Sequence, residues 1–431
     1  MSKEENRKNF SKYVSQNILG MIGFSCYVLA DSYFISIAKG ADGLTALNLV
    51  MPLYSIIFSI GEMIGVGSAI RYAISKIKKD ADADDYFWNA LIWCILSSML
   101  FVFAGIFFSA DIMRVLGADE HIVAVGNNYT KIFMCFAPMF MCNYVTNAFV
   151  RNDGAPGIAM SATLFSSLFN IVFDYILMFP MNLGMEGAAL ATALSPIIGM
   201  GICSIHFFSK KSSVRLVVCK PSVRKLVAGG QLGVSAFVGE MSSAVITLAF
   251  NFVILKLAGN VGVAAYGVVA NIAIVTTAVF NGVAQGSQPL ISSCFGRGDK
   301  DGCTQLKRMG YTTAFVLAAV MYSILFIFAG QFVAVFNSEG SEMLRLYATE
   351  GVKLYFIGIF FAGINIVGGG AFSATEDAFK AAVVSVARGF VLILGAVFVM
   401  SAFFGMTGVW LAYAVAEGIT TFIMLVMAMR V

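Results

Sequence analysis

Twelve apolar stretches follow one another along the chain, and none is shorter than 23 residues. They occupy residues 14–38, 46–74, 86–109, 121–148, 158–180, 184–208, 226–257, 262–290, 308–330, 345–372, 379–401 and 405–429. A helix of about 20 apolar residues crosses the roughly 30 Å of a bilayer's hydrocarbon. Barrel strands need only about 10 residues, so stretches of this length select helices. In hydrocarbon a helix satisfies its own backbone polar groups, which is why a bundle of spans is the expected architecture. Composition agrees, with 59% hydrophobic and only 12% charged residues against roughly 25% charged in soluble domains. The reading is an all-α integral membrane protein of twelve transmembrane helices.

Orientation follows from the loops. With the N-terminus inside, 21 of the 28 Lys and Arg fall in inner segments and 4 in outer ones (Lys39, Arg114, Lys256, Arg345). Lys131, Lys353 and Arg388 fall within spans. Positive charge stays on the cytoplasmic side, so both termini are expected in the cytoplasm of a multi-pass cell-membrane protein. Residues 1–13 read as a solvated basic tail, with no cleavage site of the secretory kind. The net charge of +4 is small and sits in loops, so no nucleic-acid partner is implied. The eight cysteines include no CxxC pair and read as small buried hydrophobes.

The most polar connection, 209–225, divides six spans from six. It separates an N-lobe (14–208) from a C-lobe (226–431). The two halves repeat. Gly40-Ala41-Asp42-Gly43 resembles Gly259-Asn260-Val261-Gly262, and Gly67-Ser68 matches Gly286-Ser287. Farther on, Lys131 matches Lys353 and Gly184-x-x-Gly187 matches Gly405-x-x-Gly408, at offsets between 219 and 223. Six is even, so the copies keep one orientation and form two pseudo-symmetric six-helix lobes. One turn breaks the pattern: where the first half has Arg151-Asn152-Asp153-Gly154, the second reads Ser373-Ala374-Thr375-Glu376-Asp377, so the repeat is expected to have drifted there.

Carboxylates inside spans carry the functional reading, because a charge in hydrocarbon costs several kcal/mol. Asp31 lies seven residues before the outer end of span 1, roughly 10 Å deep. Asp174 lies six before the outer end of span 5, roughly 9 Å deep, and Asn170 is one turn away on the same face. Thr192 of span 6 reaches a similar depth, roughly 12 Å. Two carboxylates held close share a proton or a cation, and both outcomes describe ion coupling. The alternative is that the two acids only cap or bond neighbouring helices. Glu62, Glu240 and Glu417 either join a pathway or pair with Lys131, Lys353 or Arg388. Glu186 reads as a solvated residue of the outer turn.

Absences thin the field. There is no Walker motif, no metal-ligand cluster and no Ser/His dyad, so the chain reads as neither an ATP-driven pump nor an enzyme. No cofactor is expected beyond H⁺ or Na⁺.

At Asn170-x-x-x-Asp174, Gly184-x-x-Gly187-Ala188-Ala189-x-Ala191-Thr192 and Arg151-Asn152-Asp153-Gly154 the chain resembles the MATE family of multidrug and toxic-compound extrusion transporters, in its bacterial MepA- and DinF-like branch. The resemblance covers essentially the whole chain. It implies a cation site in the N-lobe formed by Asp31, Asn170, Asp174, Ala188 and Thr192, with Asn147 as a hydrogen-bond partner. It also implies cation-coupled export of amphipathic, cationic small molecules by alternating access of the two lobes in a monomer. Some members carry a second acidic site in the C-lobe. Here span 7 offers Glu240, but span 10 has only Asn365, which favours coupling in the N-lobe. The alternatives are a lipid-linked saccharide flippase of the same superfamily and an exporter of one narrow class of metabolite. The first would want a more cationic cavity than Arg388, Lys131 and Lys353 supply.

Overall fold

The computed structural model describes residues 3–336 and 341–429. Arg430, counted among the inner basic residues, lies outside them. Among the described residues nine helical stretches are long and apolar enough to cross a bilayer, and the bent pair Glu120–Cys135 and Ala137–Asn152 makes a tenth. Two of the nine hold two spans each, parted at Gly259 and at Gly405, which brings the number to twelve.

Spans 1 and 2 are Lys3–Gly40 and Asp42–Lys78. Span 3 is Asp85–Val115, and span 4 is the pair bent by 46°. Spans 5 and 6 are Pro156–Met178 and Gly184–Phe207. Spans 7 and 8 share Val223–Gly296, and span 9 is Lys300–Ile327. Span 10 joins Glu342–Tyr355 to Ile359–Ala374 through one 3₁₀ turn. Spans 11 and 12 share 378–429, with a π-turn at Ala387–Val391.

The repeat is written in the backbone. Gly40 (φ 59°, ψ −142°) and Gly259 (φ 63°, ψ −157°) each reverse the chain between two spans within a single residue. Only glycine takes that conformation without a steric cost. Gly184 (φ 51°) and Gly405 (φ 58°) form a second pair, Lys79 and Gly298 a third. Gly154 (φ 87°) and Glu376 (φ 60°) are the fourth. The turn read as drifted is therefore preserved in shape. Glu376 takes the left-handed place of a glycine, and Arg71 and Lys78 hold its carboxylate.

Close helix contacts also repeat. A Cβ on Gly67 of span 2 would lie 2.0 Å from the Gly229 carbonyl oxygen of span 7, and one on Gly233 equally close to that of Met63. Its partner by repeat, Gly286 of span 8, meets span 1, where a Cβ would lie 2.7 Å from Val14 Cα. Spans 2 and 7, and spans 8 and 1, thus touch backbone to backbone across the lobes. These contacts lie toward the end of the bundle that carries most of the Lys and Arg, called the basic end below.

One expectation fails here. Residues 3–13 are not a loose tail but the first turns of span 1. Asn6 and Phe10 are buried, four apart on the face that also carries Val14. Phe10 and Val14 join the apolar core of the second lobe, and Asn6 Nδ2 donates to Gln305 Oε1 of span 9 (3.2 Å). The segment before Val223 is also fixed. Asp153 accepts from the backbone and hydroxyl of Ser213, from Ser212 Oγ (3.1 Å), and faces His206 Nε2 (2.8 Å). Cys26 is exposed, unlike Cys94, Cys142, Cys203, Cys294 and Cys303.

Candidate cation site and central cavity

Span 5 brings Asn170 and Asp174 to one face of a helix, and both are fully buried. Span 6 faces them. Its motif glycines have separate tasks: Gly184 makes the turn, and Gly187 lets span 6 lie against span 5, since a Cβ there would sit 2.8 Å from the Leu177 carbonyl carbon. This approach seats Thr192 beside Asn170. The Asn170 amide satisfies both neighbours when its nitrogen donates to Asp174 Oδ2 (3.1 Å) and its oxygen accepts from Thr192 Oγ1 (3.2 Å). Ala188 lies one turn before Thr192, buried in the cluster that includes Ile35 and Met178.

Asp31 of span 1 is buried and within electrostatic reach of Asp174. Oδ1 of Asp31 and Oδ1 of Asp174 are both buried with no hydrogen-bond partner. Unsatisfied carboxylate oxygens are costly in such a place, and a proton or a hard cation would satisfy them. Carboxylate, amide and hydroxyl oxygens suit H⁺ or Na⁺ rather than a soft metal. Among the described residues no group of three or more His, Cys, Asp and Glu could hold a metal ion. Two tyrosines that the sequence did not single out, Tyr54 and Tyr129, bond through their hydroxyls within electrostatic reach of Asp31.

Asn147 does not join this site. Its Nδ2 donates to Ala159 O (3.1 Å) and Thr163 Oγ1 (3.2 Å), tying span 4 to span 5 two turns nearer the basic end. It lines a central cavity together with Tyr27, Phe58, Tyr144, Glu62 and Glu240. A second cavity shares Glu62, Glu240 and Gln285 and reaches Asn365 and Arg388 in the other lobe. Glu62 and Glu240 thus bring carboxylates from spans 2 and 7 to one space between the lobes.

Arg151 was counted with the inner loops, yet it is a buried cation of span 4. Its Nη1 donates to Gln285 Oε1 (2.5 Å) and Asn17 Oδ1 (3.3 Å). Gln285 Nε2 in turn donates to Glu62 Oε1 (3.2 Å). In the second lobe Arg388, on its π-turn, grips Glu417 through Nη2 (2.6 Å) and Nε (3.0 Å). Asn365 Nδ2 donates to the same carboxylate at 2.7 Å. Glu417 is therefore an ion-paired residue and not a free acid. Glu186 is exposed and accepts from Asn128 at 2.6 Å.

The family model described as MatE matches residues 17–176 and 236–399, one copy in each lobe. The chain belongs to the MatE family. Among curated relatives of this MatE chain, the multidrug export protein MepA of Staphylococcus aureus is 27% identical over 414 residues, covering 93% of the chain and 89% of the relative. MepA of Staphylococcus saprophyticus is 26% identical over 409 residues, with the same coverage. Among solved structures, a multidrug resistance MATE transporter of the MOP superfamily in its outward-facing conformation superposes with a TM-score of 0.92 at 20% identity, covering 99% of this chain and 96% of that one. The twelve-span, two-lobe fold of the MatE chain is thus the fold of that transporter.

Proposed function

We propose that this MatE protein is a secondary exporter of amphipathic organic cations, driven by entry of H⁺ or Na⁺ and working by alternating access of its two lobes. One observation carries the reading. Two buried carboxylates, Asp31 and Asp174, lie within electrostatic reach of each other in the first lobe with an unsatisfied oxygen each, and Asn170 links Asp174 to Thr192 of span 6. A cation or proton arriving there changes the charge that spans 1, 5 and 6 share. The lobes rearrange only if the ion binds one arrangement more tightly than the other, and a charge held among three spans provides that difference. The relatives' names support drug-like substrates, and the acidic, aromatic cavity supports cationic ones. The loop charges support a cytoplasmic-membrane protein with the basic end inside. The chain acts as a monomer in this reading.

A lipid-linked saccharide flippase fits less well. Its anionic phosphates would meet Glu62 and Glu240, while Arg388 is already paired with Glu417 and Arg151 with Gln285.

The test is efflux from proteoliposomes loaded with a fluorescent lipophilic cation, under a pH gradient and a sodium gradient applied separately. Wild type should respond to one of them and Asp174→Asn to neither. Export that survives in Asp174→Asn would refute the coupling site.

A further inference from the structure

An exporter must hold its cargo more tightly when open to the cytoplasm than when open to the outside. The state described here has its basic end closed. Arg71 and Lys78 pair with Glu376 across the lobes, Asn6 bonds Gln305, and the Gly67–Gly229 contact leaves no space for a side chain. In this state the Glu62 carboxylate of span 2 is occupied by Gln285 of span 8.

Gln285 is well suited to that position. Its amide donates to Glu62 at one end and accepts from Arg151 at the other. A carboxamide can do both at once; a carboxylate would repel Glu62, and an apolar side chain would serve neither. Glu62, Arg151 and Asn17 belong to the first lobe, and Gln285 belongs to the second. The bond to Glu62 therefore exists only while the lobes meet at the basic end. When they part, Gln285 leaves with its own lobe. Glu62 then faces the cavity beside Tyr27, Phe58 and Tyr144 with an uncovered carboxylate.

Resting on the export reading, we infer that Glu62 holds the cationic group of the cargo and that Gln285 is the residue that displaces it, competing for the same carboxylate whenever the basic end closes. Affinity then falls in the outward-open state for a stated reason, and the cargo leaves on the side where it must. The mechanism needs no change at Asp31 or Asp174, so cargo release and ion coupling are separable. Gln285 acts through Glu62 and is a positioning residue.

The experiment uses the full chain, purified in lipid nanodiscs, with tetraphenylphosphonium as the probe cation. Binding is measured first because it requires no gradient. Gln285→Leu should bind the cation about tenfold more tightly than wild type, the effect of removing one competing hydrogen bond to a charged group. In proteoliposomes the same variant should show a lower KM and a lower maximal rate, because release is slowed. Gln285→Met, nearer in shape, should repeat both effects if Gln285→Leu folds poorly. Adding Glu62→Gln should abolish the tightening. Unchanged or weaker binding in both Gln285 variants overturns the inference, as does tightening that persists in the double variant. Wild type that binds the cation but moves it under no gradient overturns the export reading instead, and the binding comparison still decides the role of Gln285.

Discussion

Arg388 holds Glu417 through two of its nitrogens, 2.6 and 3.0 Å from Oε1, inside the second lobe. The carboxylate is almost completely buried, and Asn365 completes its hydrogen bonding. A carboxylate so satisfied has little to offer a travelling cation. The second lobe carries its own permanent cation where the first leaves two acids with an unsatisfied oxygen each, which favours the first lobe as the place of the proposed coupling. Removing Arg388 alone leaves a buried charge without a partner, which costs about 3–5 kcal/mol. Arg388→Met should therefore lower the thermal midpoint sharply. Arg388→Met with Glu417→Leu should recover most of it while leaving the ion dependence of transport unchanged. Thermal melts of the purified variants beside gradient-driven efflux would show whether the pair is structural.

Asp31→Asn and Asp174→Asn should each abolish gradient-driven efflux while preserving the fold, because the amide keeps the shape and loses the charge. Asn170→Ala should be milder. It removes one hydrogen bond to a charged group, worth about 1.5 kcal/mol, so the ion concentration for half-maximal transport should rise about tenfold. A series of efflux rates against ion concentration separates the two classes. Equal losses in all three variants would mean that the site requires the amide as much as it requires the two charges.

The Arg71–Glu376 pair joins span 2 to the turn after span 10. Both side chains are partly exposed, 25% and 22%, so the pair contributes about 1 kcal/mol at most. Arg71→Glu should shift the balance between closed and open basic ends about fivefold and slow transport without unfolding the chain. Combining it with Glu376→Arg should restore the rate in part. Labelling of a cysteine introduced near the basic end, with and without the charge swap, reads the shift directly.

Gly67 and Gly233 test the closure by sterics. A Cβ at either position would overlap a backbone carbonyl across the lobes at 2.0 Å. Gly67→Ala or Gly233→Ala should exclude the closed basic end and stop export, yet leave the melting behaviour of each lobe close to wild type. Gly201, whose Cβ would meet nothing within 4 Å, gives the neutral comparison.

How much of this was legible beforehand depends on how far apart the interacting residues lie in sequence. The spans were legible because apolar length is a local property, read off each stretch by itself. Asn170 and Asp174 were legible as a pair because four residues make one helical turn, and Asp31 and Thr192 joined them because depth in a membrane can be counted from a span's end. Asn147 was assigned to the right lobe but to the wrong neighbours, since counting gives depth and not the direction a helix face points. Arg151 was read as a loop cation because it stands beside a turn, although the fold buries it. The Glu376 turn was read as drifted because its glycine is gone, although two distant cations hold the shape.

Local chemistry in the sequence thus determined the twelve helices, their repeat and the position of each buried acid along its own helix. Tertiary structure alone decided which faces meet across the lobes: Phe10 on the second lobe's core, Glu62 on Gln285, Arg388 on Glu417. Helical periodicity sets the angle of a side chain around its own axis. The rotation of one helix against another is set by packing, and no single stretch of the chain records it.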